Sequence, residues 1–356
     1  MIDFKFRLKK FFNHLLNKIP LQRFFRFHFT QLNKSNIGIV ITLHRVNDSR
    51  IVADQSLLNT FIEISDSKLE ENILNLQRLN VKFVSLAELD DCLNKVKESG
   101  RPLVHVSFDD GYQDCYTTAY PILKKHKIPF SVFVTSEFIN NEHPFLWWYI
   151  IEYIIKNEQP VSFEKYNLSI TENDYRTKNK HRIFEDLRSL MIEHIDADKC
   201  YFEQQLMKYT QNIPESSIPK MMNWNDIKTM EESGLCEIGI HTRSHARFKN
   251  LTKEEKIREI IACKDAILSN TGKVSKYFAY PYGYVEDIGK KDELHEIMAH
   301  CGIRLAFTTV PDELNKDTDK FFIPRIFINN RSTMYTLKSR LNGTYQRALS
   351  KNNFFR

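Results

Sequence analysis

Ser107, Phe108, Asp109, Asp110 and Gly111 set two carboxylates side by side where an apolar run breaks. Like charges that close resist ionising together unless a cation or an arginine is near, although a paired Asp before Gly also serves as an ordinary turn or helix cap. His241, Thr242, Arg243, Ser244 and His245 add two imidazoles four residues apart, a spacing that can bring both to one side of a turn and suits a zinc-type metal. Two histidines and one carboxylate are the ligand set of a hydrolytic zinc site that keeps a position open for water. The combination points to one divalent metal ion, Zn2+ by preference, and to hydrolysis.

Such residues need a frame that aims them at one point. The β-branched run 37–42 reads as a buried strand ending at His44 and Arg45. Helices are expected over 67–79, 86–97 and 115–125, with strands over 81–84, 102–108 and 130–135. Further on, strands are expected over 235–240, 276–280, 303–308 and 322–328. Thr252 with Glu255 forms a capping box that opens a long helix, and another helix covers 286–300. Alternating strands and helices imply an α/β fold with a largely parallel sheet, closed into a barrel or doubly wound. In such folds the chemistry gathers at the carboxyl ends of strands, and His44, Asp109, Asp110, His241, Tyr282 and Arg325 all fall at or near such ends.

Residues 139–222 interrupt this alternation and are too many for an ordinary loop. They read as an inserted helical subdomain over one rim. Trp147 and Trp148 there either stack on a sugar ring or anchor the insert to the barrel.

Residues 1–30 hold seven Lys or Arg against the single acid Asp3, which accounts for the whole net charge of +6. From residue 31 onward acids and bases balance, so the body carries no broad nucleic-acid footprint. Phe4, Leu8, Phe11, Phe12, Leu15, Leu16 and Ile19 recur at helical spacing, giving residues 1–35 a basic amphipathic helix. That helix suits either an anionic membrane surface or docking on protein. Six dispersed Cys without a CxxC pair argue for reduced thiols, and no apolar window spans a bilayer or resembles a secretion signal. The expected location is the cytoplasm, on the inner face of the membrane if the helix binds lipid.

With these residues in view, the sequence resembles the polysaccharide deacetylases with a NodB homology domain, carbohydrate esterase family 4. Ser107 to Gly111 match the first family motif, His241 to His245 the second, and Phe278, Ala279, Tyr280, Pro281, Tyr282 and Gly283 the third. The resemblance spans about residues 36–330, flanked by the N-terminal segment and a tail over 331–356. It implies a distorted (β/α) barrel in which Asp110, His241 and His245 bind the metal, Asp109 is the general base and the backbone N–H of Tyr282 is an oxyanion donor.

Two departures from the family pattern change the assignments. Ala279 stands where the family usually has an Arg that pairs with the catalytic Asp, and Arg325 is the substitute. No His follows His300 to protonate the leaving amine, and no Trp follows Trp224. His44 can supply that acid, because the first and last strands of a closed barrel are neighbours. This arrangement resembles the circularly permuted branch that acts on exported or lipid-linked polysaccharides. The expected reaction is removal of an N-acetyl group from an amino sugar in a bacterial cell-surface glycan or its lipid-linked precursor. The alternatives are hydrolysis of a formamide or small cyclic amide, and a non-catalytic glycan-binding protein. No nucleic acid is expected as a partner.

Overall fold

The computed structural model describes residues 36–48, 58–95, 100–140, 144–211, 213–214 and 217–342. The amphipathic helix expected over 1–35 and most of the tail lie outside these residues.

The main sheet is built from β1 (Asn36–Leu43), β4 (Lys82–Phe83), β5 (Leu103–Asp110), β6 (Phe130–Val134), β9 (Cys236–Ile240), β10 (Tyr277–Ala279), β11 (Leu305–Phe307), β12 (Leu314–Asn315) and β13 (Ile326–Phe327). Two small pairs complete the strands, β2 (Arg45–Asn47) with β3 (Glu63–Ser65), and β7 (Val161–Phe163) with β8 (Leu168–Ile170). Along the sheet the order is β11, β10, β9, β6, β5, β1 and β12; every neighbouring pair is parallel except β1 with β12.

The sheet curls, and residues 321–327 run between its two ends. Ile323 bridges Phe307 of β11 in parallel, and Ile326 pairs with Ile41 of β1. The first and last strands are therefore neighbours, as the barrel reading requires.

Alternation along each strand decides what faces the barrel interior. In β5, Val104, Val106 and Phe108 join the outer core under the helices, while Leu103 packs with Val40, Phe133, Ala279 and Phe307. The inward set is therefore Leu103, His105, Ser107 and Asp109. The same parity turns Val40, Thr42 and His44 inward from β1, and Gly239 and His241 from β9. His105 is spent structurally, its ring nitrogens bonding Val84 O and Ser131 Oγ at 2.8 Å each.

The helices follow their caps. Ser65 accepts from the Lys68 N–H at the start of Asp66–Arg78, and the capping box of Thr252 and Glu255 opens Lys253–Thr271.

Several expected elements change form. The helix expected over 115–125 begins as a π-helical turn, Cys115–Ala119, before Tyr120–Lys125. That over 286–300 splits into Val285–Ile288 and Lys291–His300 around Gly289, whose φ of 101° only glycine adopts readily. The strand expected over 322–328 shrinks to β13, because Arg325 turns its backbone N–H to Val310 O. The insert carries the β7–β8 hairpin besides its helices, among them Trp147–Lys156 and Lys180–Thr210, and these pack round a second apolar core with Phe163, Phe184 and Phe202.

Gly239 leaves room for Phe133: a Cβ there would lie 2.2 Å from the Phe133 ring. We expect Gly239→Ala to destabilise the barrel by about 1–3 kcal/mol in urea unfolding, as overpacking of a filled core does.

Candidate active site

Asp109 sits at the mouth of the barrel, almost wholly buried, in a bidentate pair with Arg325. Nη1 donates to Oδ1 and Nη2 to Oδ2, both at 2.7 Å. Arg325 is itself fully buried and is fixed on its other side by Nε donating to Thr308 O at 2.8 Å. The Phe133 ring lies 5.7 Å from its guanidinium carbon. Burial is the largest single influence and raises the Asp109 pKa, but the charge and hydrogen bonds of Arg325, together with the charges of His241 and His44, outweigh it and hold the carboxyl below its usual range. Arg325 thus pairs with Asp109, which the Ala279 side chain cannot do.

By parity Asp110 should point outward. Its backbone instead adopts the left-handed region, φ 72°, and Gly111 follows at φ 93°. The break in alternation turns the second carboxylate to the same mouth as the first. Thr242, His245 and Tyr282 are also left-handed non-glycine residues, at φ 66°, 63° and 61°. Such backbone is costly and tends to collect where a site demands it.

Asp110 Oδ1 faces the Nε2 atoms of His241 at 3.4 Å and of His245 at 3.3 Å. The three ligand atoms all lie within 4.8 Å of one another. A tetrahedral ion with bonds of roughly 2.0–2.1 Å would separate its ligand atoms by about 3.3–3.5 Å, so the spacing fits a metal. The chemistry fits as well, since Asp110 Oδ1 is buried and makes no hydrogen bond. His241 Nδ1 bonds Ala279 O at 2.8 Å, which directs Nε2 toward Asp110. Burial opposes the charge of Asp110, yet the facing imidazoles hold its pKa well below the ordinary value. Burial pulls His241 down, and the neighbouring carboxylates bring it up past the ordinary value.

His44 follows β1 with its ring stacked on Phe327 of β13, centroids 5.7 Å apart and planes 12° from parallel. Its Nδ1 is buried without a hydrogen bond. Burial lowers its pKa; Asp110 and Asp109 oppose that shift. Thr309 binds both carbonyls of the Tyr282 turn, Oγ1 donating to Tyr282 O at 2.6 Å and its N–H to Gly283 O at 2.9 Å. Among the described residues no acceptor takes the Tyr282 N–H.

All seven residues singled out in the sequence therefore meet at one rim. What the sequence did not flag is the support: Thr42, Thr308, Thr309 and the Ala279 carbonyl. Strand parity was the signal for Thr42; the carbonyl and loop partners leave no trace in residue type. Trp147 and Trp148 are largely buried, and Trp148 Nε1 donates to Tyr112 Oη at 3.1 Å, which is the anchoring alternative.

Comparison with known proteins decides what frame holds this rim. Residues 96–306 match the polysaccharide deacetylase family model. The chain belongs to that family. As a member it is a hydrolase of carbon–nitrogen bonds in glycans, and Asp109, Asp110, His241 and His245 lie inside the matched span. A poly-β-1,6-N-acetyl-D-glucosamine N-deacetylase of Staphylococcus aureus is 24% identical over 317 residues, covering 86% of this chain and 83% of the relative. IcaB from Ammonifex degensii shares the fold with a TM-score of 0.55 at 20% identity, over 86% of this chain and 97% of that one. The Streptococcus pyogenes deacetylase PplD, solved with acetate, gives a TM-score of 0.55 at 15% identity, over 85% and 97%. Nothing in these likenesses points to a lipid-linked precursor or to the cytoplasmic, inner-face membrane placement, and both expectations are set aside. No helix among the described residues is long and apolar enough to cross a membrane.

Removing Arg325 would leave Asp109 as a buried charge without its counter-ion. We expect Arg325→Met to cost about 3–5 kcal/mol in urea unfolding near neutral pH, with much of the loss recovered when Asp109→Asn is added, because the double variant no longer buries an unpaired charge at position 109.

Proposed function

We propose that the protein removes the N-acetyl group from glucosamine units of a bacterial surface polysaccharide, with a β-1,6-linked N-acetylglucosamine polymer as its substrate class. The bidentate Arg325–Asp109 pair beside a metal-competent Asp110, His241 and His245 carries this reading, since amide hydrolysis needs a base and an electrophile at one place. The likeness to the staphylococcal N-deacetylase over most of both chains supplies the substrate class.

On this reading Asp110, His241 and His245 hold Zn2+, whose contribution is Lewis-acid activation of a water and of the acetamide carbonyl. Asp109, kept ionised by Arg325, accepts the proton of the attacking water. Its two oxygens are both engaged by the guanidinium, so it cannot swing toward the metal ligands. The Tyr282 N–H, presented by the left-handed turn that Thr309 pins, donates to the carbonyl oxygen as negative charge builds there. His44 hands a proton to the departing amine nitrogen. A buried imidazolium is a stronger acid than a solvated one, and the Asp109 and Asp110 charges let it form.

The test is mass spectrometry of β-1,6-linked N-acetylglucosamine oligomers after incubation with the purified, Zn2+-loaded protein, which should show acetyl loss and stoichiometric acetate. His241→Ala should lose metal and activity together. Asp109→Asn should keep the metal and lose turnover, because an amide fills nearly the same space but cannot accept the proton. His44→Ala should lower kcat by about 10²-fold or more on the acetamide with metal retained, and much less on an activated ester whose leaving group needs no proton. Intact oligomers with a fully metallated protein would refute the substrate class, and an unmetallated wild-type protein would refute the site.

A further inference from the structure

His241 and His245 are held in different ways. The His241 ring is oriented by the bond from its Nδ1 to Ala279 O. His245 has no equivalent: among the described residues nothing bonds its Nδ1, and its backbone is in the left-handed region. Aromatic rings enclose it instead. Phe138 stacks on it at 5.6 Å and 29°, Tyr282 lies at 5.1 Å, and Trp148 from the insert lies at 5.9 Å.

Trp148 is fixed in turn. Its Nε1 donates to the hydroxyl of Tyr112, a fully buried residue immediately after Gly111 of the paired-carboxylate turn. Its neighbours in the helix Trp147–Lys156 continue the pattern. Trp147 and the Tyr282 side chain line the same cleft beside His245. Tyr149 Oη donates to Glu63 Oε1 at 3.1 Å, and the Tyr149 ring lies 5.5 Å from the guanidinium of Arg45, the residue after His44. Successive helical residues fan out by about 100°. Trp147, Trp148 and Tyr149 therefore reach the Tyr282 turn, the His245 and Tyr112 turns, and the end of β1, all from the first turn of one helix.

From this placement we propose that Trp148 is a positioning residue for the metal: locked by Tyr112, it holds the His245 ring in the orientation that a hydrogen bond gives His241. This rests on the metal reading of Asp110, His241 and His245. It gives the insert the task of assembling the site, in place of the sugar stacking that Trp147 and Trp148 could have served had they been exposed. A ligand imidazole without a hydrogen-bonded second nitrogen can rotate about its side chain, and each orientation lost to the metal lowers affinity. Groups that orient metal ligands typically change affinity by 10- to 100-fold when removed.

The experiment is competition for Zn2+ between a chromophoric chelator and the full chain, with the thermal midpoint of the metal-free protein measured alongside. Trp148→Ala should weaken Zn2+ binding by at least about tenfold and alter the d–d spectrum of the Co2+-substituted protein. Trp148→Phe, which keeps a ring but loses the Nε1 donor, and Tyr112→Phe, which removes its acceptor, should each give a smaller loss in the same direction. Ile154→Ala, in the same helix and wholly buried in the insert core, should lower the thermal midpoint without changing Zn2+ affinity or the Co2+ spectrum. Wild-type affinity in Trp148→Ala would overturn the proposal and leave the metal reading standing. If that variant does not fold, wild-type affinity in both Trp148→Phe and Tyr112→Phe overturns it. Equal affinity losses in Ile154→Ala and Trp148→Ala would assign the effect to general loosening and also overturn it. A wild-type protein that binds no Zn2+ removes the metal reading itself.

Discussion

Two adjacent buried carboxylates impose the constraint on which this site depends. Asp109 and Asp110 are 1% and 3% exposed, and neither can stay ionised there without a partner of its own. Asp109 has a full counter-charge in Arg325, which occupies both of its oxygens. Asp110 has only two imidazoles at 3.3–3.4 Å and an oxygen with no hydrogen bond. The asymmetry separates their tasks. The satisfied carboxylate is fixed and kept ionised, and the unsatisfied one is open to a cation.

Much of the barrel can be understood as the means of keeping those two partners apart yet adjacent. Strict alternation along β5 aims Asp109 inward with Ser107 and His105, while the left-handed turn at Asp110 brings the next side chain round to the same rim. Closure through residues 321–327 delivers Arg325 immediately before the last strand, and that strand supplies Phe327 as the surface on which His44 rests. The guanidinium comes from the segment leading into β13, which pairs with β1 beside β5, and the backbone carbonyl of Ala279 orients His241.

The strand ends and the residue types of the site were legible in the sequence because they depend on short-range pattern: β-branched runs, the Asp-Asp-Gly break, and two histidines at a fixed spacing. His44 was legible only through a topological argument, that first and last strands meet, and the parallel pairing of Ile41 with Ile326 bears that argument out; Arg325 was legible as a late-strand substitute for the arginine that position 279 lacks. What could not be read was whatever runs through backbone or through packing across long separations. The Ala279 carbonyl, the Thr309 clamp on the Tyr282 turn and the grip of Trp148 on His245 carry no signature in residue type. The π-helical turn at Cys115–Ala119 and the break at Gly289 fell inside segments whose apolar spacing looked continuous, since periodicity over a dozen residues is insensitive to one inserted residue. The hairpin of the insert was missed for a related reason, its strands being three residues each.

The most direct test of this account is anomalous X-ray diffraction at the zinc edge from crystals of the Zn2+-loaded protein. The account predicts one strong peak about 2.0–2.2 Å from Asp110 Oδ1 and from the Nε2 atoms of His241 and His245, with Asp109 still paired to Arg325 through both oxygens. A peak bound by Asp109 with the Arg325 pair broken, or no peak among these residues in a protein that carries zinc, would contradict it.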